Sequence, residues 1–277
     1  MELIDLSLLY LQDVIGKNDP RHYEAALPQL FEHYYAYYAP PQPYSFRNEE
    51  EILHRRQQAL QRIPRLSQKF EQNGLAVEGV QLVLFVGHGT SNGHAFPLGD
   101  QWVVWLPLEA YPTAFAMDVF FTHEIAHALH YQRQPAFYFK DEVERTQIFR
   151  QLVTEGIATL ASKEILRIGG EQALWADYLP PENVQQWYQQ CQQRERELFR
   201  TVSEKLHTSD PQNRLFSYSD SAEVDENRAV YYLGLRLIEH YVETEGLHLR
   251  DILEVGKTEF LRIVRGFLAR EEYRFSL

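Results

Sequence analysis

The sequence predicts an α+β protein, mainly helical, with a small sheet next to one buried helix. Three observations predict it. Apolar residues recur at helical spacing over most of the chain. Two short runs rich in β-branched and aromatic residues, 80–86 and 101–106, break that period. An apolar segment carrying three histidines, 114–134, follows the second run. A chain of 277 residues buries about three quarters of its unfolded surface. Such a core needs neither disulfide nor metal to stand, so any metal serves chemistry.

The elements follow in order. Residues 3, 4, 8, 11, 14 and 15 are apolar at helical spacing and predict an amphipathic first helix. Tyr23 to Tyr38 predicts a second helix with an aromatic face, ended by the proline-rich tract 39–43. A charged helix over 48–73 follows, kinked or split at Pro64 and closed by Gly74. Two strands are predicted over 80–86 and 101–106, the second ended by Pro107 at a strand end or an edge. The stretch His88 to Asp100 between them is turn-rich, and Gly87 to Gly93 reads as a loop. Its Gly87-His88-Gly89 start has the wrong glycine spacing for a dinucleotide loop, and no helix follows it.

Beyond Pro112 the pattern is helical throughout. Asp141 with Glu144 predicts a capping box opening a long helix to Gly169-Gly170. Further helices are expected over 183–205, 228–244 and 257–272. The predicted organisation is an N-terminal helical region over 1–76, a core over 77–170, and a C-terminal helical region over 171–277 that can be continuous with the core.

Composition excludes several classes. Hydrophobic residues at 44% and aromatics at 13% exclude disorder. The net charge of −12 repels phosphate backbones and anionic lipid, which argues against nucleic-acid and membrane partners. The N-terminus lacks a basic region ahead of its apolar stretch, unlike a signal peptide, and one cysteine, Cys191, suits a reducing compartment. A cytoplasmic protein is expected. The pattern leaves its oligomeric state open.

His123-Glu124-Ile125-Ala126-His127 carries the chemistry. Histidines four apart share a helix face and can aim their ring nitrogens at one ion, as zinc requires. Glu124, about 100° round the helix from His123, can take a proton from water beside the ion. A buried helix with two histidines and a glutamate but no metal needs several compensating partners. A catalytic zinc needs a third protein ligand. His130, one turn on, is weighed, but three ligands along one straight helix converge poorly. If 114–134 and 142–168 form an antiparallel hairpin, Glu155 falls between one and two turns from the position opposite Ile125. Glu142 and Glu144 fall near the closed end and Glu164 beyond the site. Gly156 would let the two helices of that hairpin approach closely. Asp118 is weighed as a residue orienting a ligand. One zinc ion on His123, His127 and Glu155 is the expectation.

His-Glu-x-x-His on one helix with Glu155-Gly156-Ile157-Ala158 on the next resembles the gluzincin branch of zincin metallopeptidases, and sets of uncharacterised bacterial zinc-dependent proteases predicted from sequence. The match covers about 80–160, with a looser echo at Val230-Tyr231-Tyr232-Leu233-Gly234. The interval from His127 to Glu155 is longer than in thermolysin or aminopeptidase N, and the exopeptidase signature of the latter is absent. His130 and Arg133 stand where the metzincin pattern needs glycine and histidine. The resemblance implies a zincin-like core and hydrolysis of peptide or protein substrates by metal-activated water, with Glu124 as base. A substrate strand would pair on an edge supplied by Trp102 to Leu106 or by Gly93 to Phe96. Tyr232 or Tyr231 would stabilise the oxyanion, with His207 and His240 behind them. Two other readings compete: a catalytically inactive zincin-fold interaction or regulatory protein, and a zinc hydrolase of small amides.

Overall fold

Strand β2, Val80–Phe85, is buried at nearly every position. A strand covered on both faces reads as a continuous apolar run, which made it legible. In the computed structural model described here, β2 lies inside a four-stranded mixed sheet of order β1-β2-β4-β3. The structure describes residues 1–210, 212, 215, 216 and 228–274, without the side chains of 271–274. The chain divides into two compact units, 1–128 and 129–277.

The first unit holds the sheet. Strand β1, Glu2–Asp5, pairs parallel with β2, Leu3 opposite Leu82 and Ile4 opposite Val83. Residues 3 and 4 are therefore strand, correcting the helix expected there: the edge of β2 offers them backbone partners that local periodicity cannot reveal. Asp5 takes hydrogen bonds from the amide and hydroxyl of Ser7 and from Arg56 Nε. Helix α1, Ser7–Tyr10, starts there and passes into a π-helical turn, Leu11–Gly16.

The aromatic helix is in fact two, α2 (Arg21–Ala25) and α3 (Pro28–Tyr37). Pro28 opens α3 at its first turn and holds Leu27 away from helical geometry, at φ −147° and ψ 72°. Helix α4, Glu49–Gln72, is capped by Asn48, whose side chain accepts from the Glu51 amide. It runs through Pro64 as one helix, because Pro64 lies on the exposed face where water can serve the freed carbonyl.

Strand β4, Gln101–Pro107, pairs parallel with β2 and antiparallel with β3, His94–Leu98. Pro107 thus marks a strand end. Strand β3 lies in the stretch whose sequence is turn-rich; its pattern is short and contains Pro97, which an edge strand tolerates. A Gly99-Asp100 turn, with Gly99 at φ +60°, folds it onto β4. Of the two segments expected to offer a pairing edge, Trp102 to Trp105 is paired on both sides, and the outer position falls to His94–Leu98.

Helix α5, Ala114–Arg133, crosses the division between the units. The second unit is helical. Helix α6, Glu142–Arg145, is capped by Asp141, which accepts from the Glu144 amide, while Glu144 accepts from the Lys140 amide. The long helix expected after it is interrupted: Gln147 bridges Ser209, and the Ile148 amide donates to the Thr208 carbonyl. Helix α7, Ile148–Leu166, begins only there and is buried almost all round. Helix α8 is Gly170–Trp175, and the helix expected over 183–205 is divided at Arg194 into α9 (Pro181–Gln193) and α10 (Glu195–Lys205). Helices α11 (Ala229–Glu245), α12 (Leu249–Ile252) and α13 (Lys257–Arg274) complete the chain. Among the described residues no helix is long and apolar enough to cross a membrane.

Helix α7 packs on α11 with backbone against backbone. A Cβ on Gly156 would lie 2.4 Å from the Gly234 carbonyl oxygen. Gly156 thus admits α11, whereas the sequence suggested that it faced α5.

Candidate metal centre

Helix α5 follows Pro112, and the Thr113 hydroxyl caps it by accepting from the Ala116 amide at 3.0 Å. From Val119 to Tyr131 every residue is buried. A helix with no solvated face satisfies its polar side chains from within. His123, Glu124 and His127 are the three that matter, each 5–6% exposed.

The imidazoles of His123 and His127 lie one helical turn apart with ring centroids at 4.7 Å. Their Nε2 atoms are 3.1 Å from each other. His123, His127 and Glu155 each offer one ligand atom, and these atoms lie within 4.8 Å of one another. Tetrahedral zinc with bonds of 2.0–2.1 Å spaces its ligand atoms about 3.3 Å apart. The histidine pair already meets that spacing, so the donor set fits the ion in type and in reach.

Glu155 sits in a polar enclave of the buried helix α7. Its charge, with burial as the larger cause, raises the Tyr131 hydroxyl above its ordinary value, while the Arg150 guanidinium opposes the shift. Arg150 is 5% exposed. It donates to Tyr131 and to the carbonyls of Phe137, Glu144 and Arg145, tying the 137–145 connection to α7. Nothing in the spacing of Arg150 or Tyr131 announced this arrangement.

The other residues weighed from sequence are placed as follows. His130 is fully buried, its ring 4.7 Å from that of Phe137. Asp118 accepts from Arg62 of α4 at 2.6 Å. Glu142 pairs with Arg145. The Tyr232 hydroxyl donates to Glu195 Oε1 at 2.7 Å. The Tyr231 ring lies under the Arg228 guanidinium at 4.3 Å and against Phe216. His207 and His240 meet Arg265 and Arg270. Cys191 is buried, and burial pushes its thiol well above the ordinary range, as expected of an inert cysteine.

Sequence reasoning missed two residues, one that touches the motif and one that ties the segment before it. Gly93, at φ +143°, packs directly on Glu124: a Cβ there would lie 2.4 Å from its Cγ. Glu109 accepts from the amides of Gly87 and Gly89 through Oε1. Burial pushes its carboxyl from the ordinary 4.5 up to about 7, although those amides and Arg55 pull the other way. The folded state therefore keeps a proton that the unfolded chain loses above pH 4.5. Stability should fall as pH rises from about 4.5 to about 7, by at most about 3 kcal/mol, and level off above that. In Glu109→Gln this slope should vanish, as read from urea midpoints at pH 5 and pH 8.

One family model, described as Predicted Zn-dependent protease (DUF2268), matches residues 58–262. No curated protein and no solved structure matches the chain. The matched span holds the histidine motif, Glu155 and the helices that carry them, and it makes up most of the sequence. The chain belongs to the DUF2268 family of predicted zinc-dependent proteases.

Proposed function

We propose that the protein is a gluzincin-type zinc peptidase that hydrolyses peptide bonds with Glu124 as general base. The observation that carries this reading is the convergence of His123, His127 and Glu155 within 4.8 Å, with Glu124 beside the two histidines on α5. One zinc ion would be held by the two imidazoles and the Glu155 carboxylate. When bound, zinc supplies Lewis acidity, polarising the scissile carbonyl and lowering the pKa of a water molecule towards about 7.

The chain's own residues do the rest. Glu124 takes a proton from the attacking water and delivers it to the departing amine, so one carboxylate is base and then acid. The outer strand β3 would pair with an extended substrate backbone, which tolerates many sequences. Oxyanion stabilisation falls to Tyr231 or Tyr232. With the Tyr232 hydroxyl given to Glu195, Tyr232 must release that bond before it can serve. The buried, unpaired Cys191 and the negative charge suit a cytoplasmic enzyme acting on peptides or proteins.

An inactive zincin-fold module has no use for Glu124, and a hydrolase of small amides would differ only in substrate. The test is metal content with turnover. Wild-type protein should carry one zinc per chain and cleave a mixed peptide library until a chelator is added. Glu155→Ala should lose most of its zinc by elemental analysis, and Glu142→Ala should keep it. Equal zinc in both variants means that another group is the third ligand. Cleavage of acylated amino acids with intact peptides moves the enzyme to the small-amide class.

A further inference from the structure

We infer that segment 86–93 is a brace holding the Glu124 side chain in place, with Tyr34 and Glu109 as positioning residues that act through Gly93. The inference rests on the reading of Glu124 as the proton carrier.

The segment leaves β2 and enters β3, and has no regular structure of its own before residue 94. Such loops usually owe little to side chains and move freely. Here every residue is tied. Tyr23 accepts from the Val86 amide at 2.9 Å and donates to its carbonyl at 2.8 Å. Glu109 Oε1 takes the amides of Gly87 and Gly89 at 2.9 and 3.2 Å. The Tyr34 hydroxyl accepts from the His88 amide at 2.9 Å and meets the Thr90 hydroxyl at 2.8 Å. Trp105 donates to the Ser91 hydroxyl, and Tyr111 donates to the Asn92 carbonyl. The Ser91 hydroxyl closes the series, accepting from the Gly93 amide at 3.1 Å and donating to its carbonyl at 2.9 Å. Anchors from α2, α3, β4 and the stretch after it thus converge on one short segment.

What that segment presents at its end is Gly93. A Cβ there would stand 2.4 Å from Glu124 Cγ, 2.9 Å from Cδ and 3.2 Å from Oε1. The Gly93 backbone therefore fills the space into which the Glu124 side chain would otherwise swing. Glutamate has three soft dihedrals, and fixing them costs about 1.5–2 kcal/mol of rotamer entropy. A base left to wander is costly, since a misplacement of about 1 Å can lose about 100-fold in rate. Spending a buried carboxylate on two loop amides is a poor way to gain stability, since burial opposes its charge. It is an effective way to stiffen a loop.

The test compares Tyr34→Phe, Glu109→Ala and the rescue variant Glu109→Gln, which keeps an acceptor for Gly87 and Gly89. Near-UV circular dichroism confirms folding of each. We expect kcat to fall about 10-fold in Tyr34→Phe and Glu109→Ala, with KM within twofold, zinc retained and faster amide exchange at Gly89 and Gly93. Glu109→Gln should restore both exchange and kcat. In a Glu124→Gln background the same substitutions should cost nothing further. Unchanged kcat in Tyr34→Phe and in Glu109→Ala overturns the brace while the peptidase stands. So does an equal loss in the Glu124→Gln background, because the residues then act elsewhere. Wild-type protein without chelator-sensitive hydrolysis overturns the peptidase reading and takes the brace with it.

Discussion

Glu124→Gln is expected to keep its zinc and lose peptide hydrolysis by about 100- to 10,000-fold in kcat, the range a positioned proton carrier supplies. The amide matches the carboxylate in shape and can keep the contact with Gly93, but it cannot accept the proton of the attacking water. Zinc content should not change, because Glu124 is no part of the proposed ligand set, and KM should move little. Those three readings separate the roles available to a buried glutamate. A structural glutamate would show its loss in the melting temperature and a ligand would show it in zinc content. A proton carrier shows it in kcat alone. Turnover within twofold of wild type would remove Glu124 from the reaction and require another group to carry the proton.

What could be read from the residues alone divides along a physical line. Features written in local sequence were legible. The apolar run of β2, the start of α5 after Pro112-Thr113 and the shared face of His123 and His127 each depend on neighbours within a few positions. The convergence of Glu155 with the histidines was within reach because helix rise converts sequence distance into length. Features requiring a distant partner were not legible. Strand β1 exists because β2 lies about 80 residues away to pair with it. Tyr34 meets Thr90 across 56 positions, and no periodicity marks either. The break before α7 is made by Thr208 and Ser209, which no pattern around 147 foretells. Segment 86–93 shows the limit most plainly. Its glycines suggested a phosphate loop and then a bland connection, whereas their positions suit amides presented to Glu109 and a bare Cα laid on Glu124.

The second large effect belongs to the pairing of Gly156 with Gly234. Gly156→Ala should destabilise the protein by about 3 kcal/mol, the upper part of the range for overpacking a tight contact. Alanine normally gains about 1 kcal/mol over glycine inside a helix. Here that gain is outweighed. The new methyl would sit 2.4 Å from the Gly234 oxygen and 2.6 Å from its carbonyl carbon, and both are backbone atoms with no rotamer to yield. Ile238 Cγ1, at 2.9 Å, could turn aside, but α11 itself must move. Gly234→Ala meets the Leu152 carbonyl oxygen at 2.6 Å and should act in the same direction. The control is Gly266→Ala on the exposed face of α13, where a Cβ meets nothing within 4 Å. That substitution should stabilise by up to about 1 kcal/mol, as helix propensity alone predicts. Opposite signs for one chemical change, read from urea midpoints, would isolate the helix contact as the cause. Because Glu155 precedes Gly156 on α7, a forced shift there should also weaken zinc retention, while Gly266→Ala leaves it intact. If Gly156→Ala proved neutral in both measurements, α7 and α11 could not be in backbone contact, and the helix that carries the Glu155 carboxylate would be held in some other way.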